Sequence, residues 1–126
     1  MELGGLRDSL GILGEAVSQA QALLEGNYGL AVSMGKRYAI ILLGSCIRSA
    51  CAEAFGASDP VECVHSIESS LGYDYGAIAS RILRAAATLC EGGEVGEDLV
   101  DRLIRESLKL YVAWSRACFG GGSPKS

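Results

Sequence analysis

His65 is the single histidine of this chain, so any general base, metal ligand or triad member built on imidazole must be this residue. A Cys/His nucleophile pair would need the two side chains side by side. Cys63 stands two residues before His65, which on a helix separates them by about 200°, so these two cannot pair. Cys51, across the intervening loop, could approach the imidazole instead. The five cysteines at 46, 51, 63, 90 and 118 contain no CxxC pair, so no zinc-ligand pattern is present. Each sits among Ala, Leu and Ile, where cysteine fills core as a small hydrophobe. Cys46 and Cys51 would point about 140° apart on one helix. A disulfide should therefore join different elements, for example Cys63 with Cys51 or with Cys90.

The acidic residues Glu91, Glu94, Glu97, Asp98 and Asp101 crowd one turn. They lack the alternating oxygen-ligand loop of an EF-hand, and acids at a helix start are expected from the macrodipole alone. The glycines here and at Gly4-Gly5 follow no strand, which excludes a dinucleotide fingerprint and a P-loop. Lys36, Arg37 and Arg48 are the basic residues of a long apolar helix. Arg48, just past its apolar run, could bind a phosphate or carboxylate, or pair with Glu53 or Glu68. Tyr28, Tyr38, Tyr73, Tyr75 and Tyr111 could stack a ring; the spacing places Tyr38 and Tyr111 in the core with hydroxyls at the rim, whereas Tyr73 and Tyr75 flank a helix start. Arg37, Arg48, His65 and Tyr73 are thus the candidate ligand-binding residues. No catalytic residue, metal or cofactor is expected.

These residues must be positioned by helices. Leu3, Leu6, Leu10, Leu13, Val17, Ala20 and Leu24 recur every three or four residues and predict an amphipathic helix from Glu2 to Glu25, ended by Gly26 and Asn27. A second helix is predicted over Tyr28 to Phe55. Between Tyr38 and Ile47 it carries no charge on any face, so this stretch must be surrounded by protein, at the bundle centre or in a subunit interface. Gly35 and Gly44 lower helix propensity there, which points to a neighbour packed against the backbone. Asp59-Pro60-Val61-Glu62 reads as a capped helix start, and the short helix that follows ends at Gly72. Another helix begins after Asp74, with Ile78, Ile82 and Leu89 inward and Arg81 and Arg84 outward, and Gly92-Gly93 stop it. The last runs from Gly96 to Phe119, with two adjoining apolar stripes through Leu99, Leu103, Leu110 and Trp114 and through Val100, Ile104, Leu108 and Tyr111. Short connections make consecutive helices antiparallel. The expected fold is all-α: an up-and-down bundle of four main helices plus one short helix, in a single domain over residues 1–119 with a disordered tail at 120–126.

Composition narrows the function classes. The 126 residues are 49% hydrophobic, enough for one real core, and the net charge of -4 argues against a broad nucleic-acid footprint. The uncharged run between Arg37 and Arg48 falls short of the roughly 20 residues that span a bilayer. With an opening that alternates apolar and polar residues at helical spacing rather than forming a leader, the expected setting is the cytoplasm, without a membrane partner. Arg outnumbers Lys eight to three, which hints at a thermophilic source, where intracellular disulfides occur.

The stretch Leu23-Leu24-Glu25-Gly26-Asn27-Tyr28-Gly29-Leu30-Ala31-Val32, followed by Tyr38-Ala39 and the apolar continuation to Phe55, resembles the first two helices of the HEPN family of small helical bundles. The later helices fit that family's order and lengths but carry no motif. The resemblance implies a dimeric all-α protein of prokaryotic, often archaeal, type that binds nucleotides or in some members partners a minimal nucleotidyltransferase. Many members are ribonucleases with an Arg four to six residues before a His. Positions 59 to 61 here are Asp, Pro and Val, so that chemistry does not carry over to His65. What remains is a non-enzymatic homodimer that binds a nucleotide or a protein partner; the alternative is an adaptor or small helical subunit of a larger ribonucleoprotein assembly.

Overall fold

The computed structural model describes residues 3–25 and 30–120. Five α-helices, α1 (Leu3–Glu25), α2 (Leu30–Phe55), α3 (Pro60–Leu71), α4 (Tyr73–Cys90) and α5 (Glu97–Ser115), lead into a π-helical turn, Arg116–Gly120. There is no strand among the described residues. The all-α reading holds. The stop at Gly26 and Asn27, the start at Tyr28 and the tail beyond Gly120 lie outside the described residues.

Cross-links between helices fix their directions. Along α1 and α5, Ser9 meets Trp114, Gly14 meets Tyr111 and Gln21 meets Ile104, so the first and last helices run antiparallel. Lys36 meets Asp101 and Phe55 meets Trp114, so α2 runs parallel to α5. The order around the bundle is α1, α2, α4, α5, and α5 closes the ring on α1. The short α3 packs outside that ring, on α4 and α2. One apolar core joins all five helices through Leu13, Ile40, Leu43, Ile47, Ile67, Ile82, Leu103 and Trp114.

Local chemistry places the breaks. Asp59 caps α3 by accepting from the Glu62 N–H, Pro60 fills the first turn, and the Glu62 carboxylate accepts from the Ser58 N–H in return. Gly72, at φ +122°, separates α3 from α4 with a single residue, a conformation closed to most side chains. α4 begins at Tyr73, ahead of Asp74, after which the helix was expected to start.

Gly44 explains how α2 and α4 come so close. A Cβ placed on it would lie 2.6 Å from the Cβ of Ala86. Gly44→Ala must push the helices apart, a strain of about 1–3 kcal/mol that outweighs the roughly 1 kcal/mol gained in helix propensity. We expect a net loss near 1 kcal/mol in denaturant unfolding, recovered when Ala86→Gly is added. A single variant as stable as the parent would refute this close contact.

The charge-free stretch of α2 is only half covered. Ala39, Ile40, Leu43 and Ile47 are buried, but Tyr38 is 61% and Met34 62% exposed, which corrects the expectation that Tyr38 lies in the core. Ile41, Leu42 and Cys46 are half-buried on the same side. Arg81 keeps a partly exposed side chain, as its outward position predicted, but it is also anchored to α5. Its guanidinium reaches Glu106 of α5 at 3.0 Å, and its Nε is buried without an acceptor among the described residues. Leu99 and Leu108, expected inward on α5, are exposed.

Met34–Phe55 is long and apolar enough by length and composition to cross a membrane. The expectation from the uncharged run was shorter because Arg37 and Arg48 bounded it. Here the stretch packs against α1, α3, α4 and α5.

Candidate functional site

The four residues singled out from sequence do not converge. Arg37 is engaged with the start of α5. Its guanidinium holds Glu97 at 2.9 Å and donates to the Val95 carbonyl at 3.1 Å. Arg48 lies eleven residues further along α2, about 16 Å away at helical rise. It is exposed and makes no salt bridge among the described residues. Tyr73 is 74% exposed at the first position of α4.

His65 is 75% exposed on α3, with Nδ1 3.7 Å from Glu68 Oε1. It lines an open groove of about 440 Å³ with Ala54, Phe55, Ser66, Ser69 and Ser70. Phe55 supplies an apolar ring to its lining, and the three serines, set within about one turn of α3, supply hydroxyl groups. The arrangement can hold a small polar or aromatic group. None of these hydroxyls hydrogen-bonds the imidazole among the described residues. Cys51, the cysteine read from the sequence as able to approach His65, is bonded to Cys63 in a disulfide between α2 and α3. That settles the open pairing, and Cys90 is a free, exposed thiol.

Sequence reading passed over Lys36, the most deeply buried charge in the described core. Its ammonium sits 2.8 Å from Asp101 and 2.9 Å from Glu97, with a side chain only 6% exposed. Nothing in the local spacing of α2 announces this, because both acids lie some sixty residues away. The hydrogen bonds that the Lys36 ammonium donates to Asp101, then to Glu97, push its pKa above its ordinary 10.5, against the opposing effect of burial. A raised folded pKa means that the stabilisation is complete below the unfolded pKa and is lost as pH climbs through the higher folded value. We therefore expect parent and Lys36→Met to differ by a near-constant amount in melting temperature from about neutral pH, where Asp101 and Glu97 are ionised, up to about pH 10, with the gap closing above it. A gap that widens in alkali would refute the assignment.

A second groove, about 820 Å³, runs between α1 and the end of α5, lined by Gly11, Gly14, Glu15, Ser18, Tyr111 and Phe119. Gly14 makes room for the Tyr111 ring, whose edge is 2.9 Å from where a Cβ would stand. Tyr111 is half-buried, as its spacing predicted.

The larger unexplained feature is the open side of α2. Met34, Tyr38, Ile41, Ser45, Arg48 and Ala52 recur every four and three residues alternately, the spacing that makes one continuous seam on a helix. The charge-free run from Tyr38 to Ile47 was legible in the sequence, but which side of α2 its neighbours cover was not. No family model matches the chain, and no curated protein or solved structure matches it either.

Proposed function

We propose that this chain is a non-enzymatic, HEPN-like helical protein that forms a homodimer through the open side of α2 and binds a nucleotide or a protein partner such as a minimal nucleotidyltransferase. The observation that carries the reading is the exposure of Met34 and Tyr38 beside half-buried Ile41, Leu42 and Cys46, an apolar seam of the kind that marks an interface. The His65 groove, with Phe55 as a stacking surface and serine hydroxyls around it, supports a small ligand rather than a reaction. We place the protein in the cytoplasm of a thermophilic archaeon, a setting whose proteins include disulfides such as Cys51–Cys63.

Light scattering at micromolar concentration tests the dimer, with a mass of twice 13.1 kDa expected. A monomer there would remove it. RNA cleavage by the purified protein that disappears on His65→Ala would overturn the non-enzymatic reading.

A second reading, an adaptor subunit of a larger assembly, is favoured by the separate exposed patch of Leu108 and Val112 on α5 with Phe119 beyond it. Binding of a heterologous subunit that Val112→Glu abolishes, with the homodimer intact, would distinguish it.

A further inference from the structure

We propose that two copies of this chain pair α2 against α2 antiparallel about a two-fold axis, in a register that sets Tyr38 of each copy over Arg48 of the other. The inference rests on the dimer reading above and specifies its geometry.

The argument starts from the order of side chains along the seam. Its N-terminal half presents the large groups Met34, Tyr38 and Ile41. Its C-terminal half presents Ser45, Arg48 and Ala52, of which two are small. The alternate four- and three-residue steps are the same read from either end. Reversing one helix therefore superimposes the seam on itself: Met34 falls opposite Ala52, Tyr38 opposite Arg48 and Ile41 opposite Ser45. Every large side chain then meets a small one or a cation, and each pair occurs twice by symmetry, as an isologous interface requires. A parallel pairing would instead stack Tyr38 on Tyr38 and set Arg48 against Arg48.

Charge points the same way. Arg48 is the only charged side chain among these six, and it makes no salt bridge among the described residues. A tyrosine face is a fitting neighbour for a planar guanidinium. The tyrosine available to it is Tyr38, ten residues back on the same helix and about 15 Å away, too far to reach within one chain. Antiparallel pairing removes that distance. The seam from Met34 to Ala52 spans about 27 Å, long enough for knobs from both helices to interlock over five turns.

A charge-swap series read by light scattering and sedimentation equilibrium tests the register. Tyr38→Arg places a cation against Arg48 of the other copy and is expected to weaken the dimer on the order of 30-fold, the effect of one hot-spot side chain. Adding Arg48→Glu restores an attractive pair, and the double variant should return to within a few-fold of the parent. Circular dichroism confirms that each variant keeps its helices. A double variant no tighter than Tyr38→Arg overturns the antiparallel register, because in a parallel pair both new charges face their own copies. A parent dimer indifferent to Tyr38→Arg also overturns it, and moves the interface to another surface such as Leu108 and Val112. A monomeric parent removes the dimer itself, and the register with it.

Discussion

Replacing Trp114 with alanine should destabilise the fold by about 3–5 kcal/mol and lower its melting temperature by roughly 15 °C. The indole is fully buried. Its ring lies 5.8 Å from that of Phe55 at the end of α2, tilted by 46°, and its Nε1 donates to the hydroxyl of the fully buried Ser9 on α1 at 2.8 Å. One side chain thus fastens three helices at a single end of the bundle. Alanine removes the largest apolar surface in the core, leaves a cavity, and takes from Ser9 a hydrogen bond made inside protein. Trp114→Phe separates these contributions, since it keeps most of the ring and loses only the N–H; about 1–2 kcal/mol is expected. Thermal unfolding followed by circular dichroism reads both variants without the tryptophan signal. A loss under about 1 kcal/mol for the alanine variant would mean that this end of the bundle is not packed as described.

The second large effect concerns the bond between Cys51 and Cys63, which closes a loop of twelve residues between α2 and α3. Removing a loop constraint of this length from the unfolded chain is worth about 3 kcal/mol on chain-entropy grounds. Cys51→Ala with Cys63→Ala should therefore lower stability by about 2–4 kcal/mol, and reductant should do the same to the parent but not to the double variant. Thiol counting supplies an independent check. Three cysteines stand outside this bond, Cys46, Cys90 and Cys118. Cys90 is exposed and should alkylate first. Cys46 should lag, because burial, aided by the nearby Glu15 carboxylate, pushes its thiol pKa up and thins its reactive thiolate. Five reactive thiols in protein unfolded without reductant would show that the bond does not form.

The elements were legible because their signals are local. Asp59-Pro60 opens a helix by hydrogen bonds within four residues, and Gly72 breaks one by its own backbone angle. Apolar spacing on α1, α4 and α5 named most of the core. It erred at Leu99, Leu108 and Tyr38 for one reason: periodicity reveals that a side of a helix is apolar, not whether a neighbour covers it. Charge pairing between helices was not legible, whereas the disulfide partner of Cys63 was already one of two named candidates. Lys36 finds Glu97 and Asp101, and Arg81 finds Glu106, only after the ring of helices has formed. The candidate ligand residues scattered for the same reason. Arg37 is taken up by α5, which left His65 with the serines of its own helix and Arg48 with the open seam. Gly44 was the exception, a single residue whose low helix propensity correctly announced a close neighbour.

The closure of α5 onto α1 bears on how the chain is made. Ser9 and Trp114 are 105 residues apart, so α1 must wait for α5, which is made later, before its buried side finds its partner. During that interval α1 and α2 can associate as a hairpin, while the inner surfaces meant for α5 stay open to water and to other nascent chains. Synthesis arrested before Trp114 would yield a sticky partial bundle, and slowing translation would lengthen the exposure rather than assist folding.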